Sequence, residues 1–385
     1  MKRGVLVGTL VFLGAVTIVG CQVERFVNRV VAAPGASPSE RTQALQTSAM
    51  VVDLHADPLL WGRDLTKRAT VGHVDLPRLR AGGVGLQVFG LVTKVPLGAN
   101  IDRTDPRWPD LVTLLAVTHG WPIRTWTSRL ERALHQAARF DRMVRDAEGT
   151  FLPIRTREDL GRLTAARARD PGVVGGLLAI EGAHALDGDP TNVAQLFDAG
   201  VRMIGLAHFF DNAFAGSAHG LAKGGLTAKG RTLIDEMARR RMVVDLAHAS
   251  AATIADVLAV VDRPVVVSHT GVRGTCDNTR NLSDDQVRAI AAGGGVIGVG
   301  MWETAVCGTA PADVARAVTH IVELVGADHA ALGADFDGAV TTGFDAAGLP
   351  RVTEALLGAG LPESTVRAVL GENVLRVLAA TLPRE

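Results

Sequence analysis

Seven side chains able to bind a metal ion or carry a proton stand directly behind short aliphatic runs. His55 and Asp57 follow "MVVDL", Glu181 follows "GLLAI", His208 follows "MIGLA", His248 follows "VVDLA", His269 follows "VVVS" and Asp335 follows "ALGA". One such residue alone would be an ordinary loop residue. Four histidines and three carboxylates at the same end of their runs form a pattern, because the opposite ends begin with Met242, Pro264 or Gly295. Imidazole and carboxylate donors suit Zn²⁺ and similar divalent ions, and the lack of a cysteine cluster argues against a structural zinc ribbon. His55 and Asp57, at alternate positions, face one side of a strand and can hold one ion together. His248 and His269, from consecutive runs, can hold a second, with Glu181 bridging. Two ions about 3.5–4 Å apart can share a hydroxide, lower its pKa and polarise the carbonyl it attacks. That chemistry is hydrolytic.

Such convergence needs a scaffold that ends many strands at one place. From residue 50 onward, aliphatic runs alternate with stretches of helical spacing such as "TAKGRTLIDEMARRR" and "ADVARAVTHIVELVG". The eight runs are "MVVDLHAD", "VGLQVFGLV", "VVGGLLAIEG", "VRMIGLAH", "MVVDLAH", "PVVVSHT", "GGVIGVGM" and "HAALGADFDG". Alternation implies parallel strands with helical crossovers, and eight units imply an α/β fold, a (β/α)₈ TIM barrel, with a doubly wound open sheet as the alternative. A barrel builds its active site at the carboxyl ends of its strands, where the seven side chains fall. Residues 110–147 are too long for one crossover and are expected as one or two rim helices, with Trp121 and Trp126 packing there or lining an entrance. Two closing helices follow the eighth strand, separated by a turn at "GLPES".

Forty basic residues balance forty acidic ones among 385, without a long run of like charge, which leaves no surface suited to nucleic acid. The amino terminus, "MKRGVLVGTLVFLGAVTIVGC", is a basic pair followed by an apolar run, the pattern of an export signal. Its end at Cys21 resembles a bacterial lipobox, in which that cysteine is lipidated; an uncleaved anchor and a cleaved signal are the alternatives. Each places the body outside the cytoplasm, most simply as a membrane-attached lipoprotein. The expected organisation is a signal and lipobox at 1–21, an Ala/Pro/Ser-rich tether at 22–45 and a single metallohydrolase domain at 46–385. With Cys21 assigned to lipid, Cys276 and Cys307 remain, and export permits them to pair or to stand as separate thiols.

The stretches "DLHAD", "AIEGAH", "LAHFFDN", "VDLAHAS", "PVVVSHTGVRGTCDNTRN" and "GADFDG" together resemble the membrane (renal) dipeptidases, peptidase family M19 of the metal-dependent amidohydrolase superfamily. The resemblance spans roughly residues 50 to 380. It implies two zinc ions: His55 and Asp57 on the first, His248 and His269 on the second, Glu181 bridging. It further implies that His208 faces the substrate carbonyl, that Arg280 takes the substrate carboxylate, and that Asp335 shuttles the proton to the leaving amine. It favours a Cys276–Cys307 disulfide and is compatible with a homodimer. His184, His219 and Asp337 are expected in supporting roles. The implied reaction is hydrolysis of free dipeptides, with a D-residue tolerated on the carboxyl side. A related hydrolase of small non-peptide amides or lactones, and an inactive ligand-binding lipoprotein, are the competing expectations. The loop "FFDNAFAGSAHG" and the alanine of "EGAH" depart from the family's usual sequence, which leaves substrate preference less defined than hydrolysis.

Overall fold

The computed structural model describes residues 23–385, so the expected signal, lipobox and Cys21 lie outside the described residues. No helix among the described residues is long and apolar enough to cross a membrane.

Eight parallel strands form the centre: β1 (Val51–Ala56), β2 (Val84–Val92), β3 (Val174–Glu181), β4 (Val201–Gly205), β5 (Val243–Asp245), β6 (Val266–Thr270), β7 (Val296–Val299) and β8 (Ala330–Leu332). Each pairs with the next, and β8 returns to β1 through Leu332 and Asp53, closing the barrel. Every residue in these strands is buried. Strands covered on both faces must be apolar almost throughout, which is why they read as aliphatic runs rather than alternations. The (β/α)₈ expectation is therefore met.

The crossover helices start at side-chain caps. Thr227, Ser250 and Ser283 each accept a hydrogen bond from the first helical turn of α7 (Ala228–Arg239), α8 (Ala251–Leu258) and α9 (Asp284–Ala292). Earlier in the chain lie α1 (Glu40–Ser48), α2 (Leu76–Ala81), α3 (Leu111–Thr118), α4 (Arg129–Asp146), α5 (Arg157–Arg167) and α6 (Val193–Asp198); α10 (Pro311–Val325), α11 (Pro350–Gly358) and α12 (Asn373–Thr381) follow. The segment 110–147 supplies α3 and α4, as its length requires. Buried Arg132 fastens it to the barrel: its guanidinium donates to the Thr93, Thr125 and Trp126 carbonyls, to Asp110 and to Thr113. Behind it, Phe89, Phe140 and Phe151 pack edge to face with ring centroids 5.4–5.7 Å apart. Trp121 is core, grouped with Leu60, Trp61 and Val112. Val374, Val377 and Leu378 of α12 pack with Val52 and Leu54 of β1.

The 22–45 tether needs correction. From Val23 the chain is packed: residues 23–27 are helical, Arg29–Val30 pairs in parallel with Thr341–Thr342, and Glu24 and Asn28 are 4% exposed. Ser39 then caps α1. The Ala/Pro/Ser composition of residues 31–38 suggested a free chain, but ahead of it the buried Glu24 carboxylate pairs with Arg63 and Asn28 Oδ1 accepts from the Ala339 N–H. Among the described residues, the packed body thus already includes residues 23–45 instead of starting at 46.

Candidate metal centre

The carboxyl ends of six strands bring the seven side chains together. Glu181, the last residue of β3, is the hub. Its Oε1 lies 3.1 Å from His248 Nε2, 3.5 Å from His208 and His269 Nε2, and 3.6 Å from His55 Nε2. His55 Nε2 is also 3.4 Å from Asp57 Oδ1 and 3.9 Å from Asp335 Oδ1. Most of these separations exceed ordinary hydrogen bonds. They match the edge of a coordination shell, since donors about 2.0–2.1 Å from a tetrahedral ion stand about 3.3–3.4 Å apart. His55 Nδ1 and Nε2, Asp57 Oδ1 and His208 Nδ1 are buried with no hydrogen-bond partner among the described residues. Buried polar atoms rarely lack partners, so the donors fit divalent cations. Three overlapping sets have ligand atoms within 4.8 Å of one another: His55, Asp57 and Glu181; Glu181, His208 and His248; and His55, His269 and Asp335. The structure thus gathers every donor expected from the sequence, and it brings His208 and Asp335 into the donor shell as well.

The residues behind the donors fix their tautomers. His219 Nδ1 lies 2.7 Å from the Ile101 carbonyl, which only accepts, so that nitrogen carries the proton. His219 Nε2 is then an acceptor for His248 Nδ1–H at 2.9 Å, which leaves the His248 Nε2 lone pair facing Glu181 and, at 2.9 Å, His269 Nε2. A second relay acts on His269. The Ser268 hydroxyl donates to Asp245 at 2.6 Å and so accepts from His269 Nδ1 at 3.0 Å, freeing His269 Nε2. Such partners are what metal-binding histidines require to present a lone pair.

The electrostatics agree. Burial, with the surrounding Arg280 or imidazole charges, holds His208, His248 and His269 well below the ordinary histidine range. Burial pushes Asp335 up to about 8 and Glu181 well above its ordinary value, the Asp57 charge adding to both. At His55 burial opposes charge, but Asp57 and Glu181 outweigh it and lift the group to about 10, a measure of the negative potential a cation would meet. Carboxylates crowded this way are stabilised by bound cations.

Backbone geometry serves the same end. His248 and Asp335 adopt φ of 59° and 60°, a left-handed conformation that costs non-glycine residues energy and that concentrates at functional sites. The Asp335 N–H donates to the His55 carbonyl at 3.1 Å, and Asp53 Oδ1 accepts from the Ala334 N–H at 2.7 Å, so β1 holds the start of the Asp335 turn. Gly90 of β2 faces the His55–Asp57 pair: a Cβ there would lie 2.1 Å from Asp57 Oδ1. Gly182 turns the chain after Glu181 at φ 92°, where a Cβ would meet His184 at 2.5 Å.

The donors open into a cavity of about 660 Å³ lined by Asp57, Glu181, His208, His248, Arg280 and Asp335 on one side. Arg280 is 5% exposed; it donates to the His269 carbonyl at 2.6 Å and to Thr270 Oγ1 at 3.1 Å, and lies 5.9 Å from the Trp302 ring. Burial lowers its guanidinium to about 10. Cys276 and Cys307 form a disulfide that joins the Arg280 loop to the loop after β7. Asn281 reinforces that junction by donating to the Cys276 and Ala305 carbonyls at 2.7 and 3.0 Å. Asp337 is structural: it accepts from the His73 N–H at 2.6 Å and from Arg63 at 2.5 Å. His184 packs against Phe210 at 4.8 Å. Neither Trp121 nor Trp126 is among the residues lining the cavity; Leu111, Leu114 and Leu115 of the same segment are.

A barrel with a cluster of histidine and carboxylate donors at its carboxyl end is the architecture of a metal-dependent hydrolase. The chain belongs to the membrane dipeptidase family, peptidase family M19, whose model matches residues 39–382. It is similar to the dipeptidase verJ of Clonostachys rogersoniana, 33% identical over 54% of this chain and 55% of that protein; the match thus spans about half the relative's length. Among solved structures it resembles the dipeptidase AC, a metallopeptidase of family M19, at 26% identity and a TM-score of 0.70, covering 87% of this chain and 99% of the other. A metallopeptidase from Rhodobacter sphaeroides bound to a phosphinate mimic of the dipeptide L-Ala-D-Ala is similar at 26% identity and a TM-score of 0.69, covering 86% and 99%.

Proposed function

We propose that this protein hydrolyses free dipeptides with two zinc ions held by His55, Asp57, Glu181, His248 and His269. The observation that carries the reading is the single Glu181 oxygen within 3.6 Å of four imidazole nitrogens, beside a buried arginine at the wall of the cavity. Two divalent cations bound there would polarise the scissile carbonyl and activate the attacking water.

The chain's own residues supply the rest. Arg280 presents a guanidinium to the substrate's free carboxylate, recognition suited to its fork of donors. His208, at the same wall, steadies the carbonyl oxygen as charge develops on it. Asp335 accepts the proton released by water and returns it to the amine nitrogen as the C–N bond breaks. Tolerance of a D-residue on the carboxyl side is part of the proposal, and the phosphinate complex of the Rhodobacter sphaeroides relative supports it.

The test is a panel of L- and D-containing dipeptides assayed after chelation and after Zn²⁺ is restored. Activity should vanish with the chelator and return with zinc. Full activity in an Asp57→Ala/His248→Ala double variant would refute the assignment. Arg280→Met separates dipeptides from non-peptide substrates, because only the former need a carboxylate partner. The sequence of residues 1–21 further supports an extracytoplasmic protein lipidated at Cys21, which radiolabelled palmitate incorporation would test.

A further inference from the structure

Residues 23–38 precede the family match at 39–382, yet part of this segment reaches the active-site cavity. Val23 and Val27 line the same space as Asp57, Glu181, His248 and Arg280, and Val27 packs on the apolar cluster of Leu60, Trp61, Val92 and Val112. The local sequence explains the placement. In the helical turn 23–27, Val23 and Val27 stand four residues apart on one side, and Glu24 and Asn28 stand four apart on the next.

Glu24 and Asn28 are the bolts. Glu24 pairs with Arg63 at 2.5 Å, and Arg63 also pairs with Asp337 at 2.5 Å and donates to the Val74 carbonyl at 2.7 Å. Asn28 Oδ1 accepts from the Ala339 N–H at 2.8 Å. The chain then runs as a strand beside Thr341–Thr342, with Val31 and Ala33 N–H groups donating to the Thr342 and Gly343 carbonyls at 2.9 and 3.1 Å. Every one of these partners except Arg63 and Val74 belongs to the loop that follows β8 and carries Asp335. The segment is a strap fixed across the mouth of the barrel.

We propose that residues 23–33 are a permanent wall of the substrate pocket, and that Val23 and Val27 select dipeptides bearing a bulky apolar side chain. The inference rests on the dipeptidase reading. The cavity has two halves: the donor side with Arg280, and an apolar side formed by Val23, Val27, Leu60, Trp61, Leu111 and Leu115. The donor half holds the groups common to every dipeptide, so the apolar half meets what differs among them, the side chain.

The experiment uses full-length protein in detergent, loaded with zinc, and compares kcat/KM for dipeptides containing Leu or Phe with that for the smallest dipeptide the wild type hydrolyses. In V23S/V27S the ratio of large to small should fall about tenfold, mostly through KM, because a few methyl groups in a pocket discriminate on that scale. Val27→Ile should keep the ratio. E24A/N28A, which removes the Arg63 and Ala339 contacts and so loosens the strap without touching its apolar face, should lower the ratio in the same direction with zinc content unchanged, and it reads the wall even if the serine variant fails to fold. Wild-type protein that cleaves no dipeptide overturns the functional reading and the wall with it. Wild-type turnover with an unaltered ratio in the variants overturns the wall alone.

Discussion

Replacing Gly90 by alanine should disable the metal centre from a strand that contributes no ligand. The added Cβ would stand 2.1 Å from Asp57 Oδ1, 2.8 Å from His55 Cε1 and 3.1 Å from His55 Nε2. A carbon tolerates an oxygen no closer than about 3.3 Å, so the carboxylate would have to move by about 1.2 Å. The backbone has little room to retreat, because β2 is paired on both sides, to β1 and along seven residues of β3, and is wholly buried. Metal–ligand distances tolerate only about 0.2 Å, and a misplacement of about 1 Å costs on the order of 10²-fold in rate. Gly90→Ala is therefore expected to lose about 100-fold in kcat/KM and to hold less metal per chain than the wild type by mass-spectrometric metal analysis. Circular dichroism should show the barrel intact. Wild-type metal content and activity in this variant would refute the argument that the β2 surface sets the position of the His55–Asp57 pair.

The relay behind His248 predicts that His219→Leu weakens one ion by about 10- to 100-fold, measured by competition with a chromophoric chelator, and that His219→Gln, which keeps an acceptor, recovers part of the loss. The disulfide closes a separation of 31 residues; replacing both cysteines by serine should lower the unfolding free energy in urea by about 3–4 kcal/mol and raise KM by releasing the Arg280 loop. Burial raises Glu24 to about 7 against the pull of Arg63, while Asp337 pushes it further up and Arg139 pulls it down. A carboxyl whose folded pKa is raised favours the docked strap fully below its ordinary value near 4.5, and that contribution is lost as pH rises to about 7. Corrected hydrogen-exchange protection of residues 23–33 should accordingly fall over that interval, and Glu24→Gln should flatten the profile.

The barrel and its donors are legible in the sequence for one physical cause: parallel strands buried on both faces admit few polar residues, so His55, Glu181, His248 or His269 stands out where an aliphatic run ends. The supports are harder to read. Asp245 and Ser268 sit within strands and take meaning only when β5 and β6 lie side by side. Gly90 looks like any glycine of "VGLQVFGLV" until Asp57 is known to face it. Trp302 gives no local sign of meeting Arg280, which depends on loops joined across the Cys276–Cys307 bond. The strap did carry a signal, the paired i, i+4 positions of Val23/Val27 and Glu24/Asn28, which the Ala/Pro/Ser stretch downstream obscured.

The span that the family model matches differs from the span that lines the cavity. A protein trimmed to residues 39–382 would retain His55, Asp57, Glu181, His248, His269 and Arg280, and would bind its cations, while lacking Val23 and Val27 and the Asn28 and Glu24 contacts that brace the loop after β8. Its substrate profile would describe the common body of the family with one side of the pocket open to water. A soluble form intended to report this protein's own selectivity has to begin before Val23.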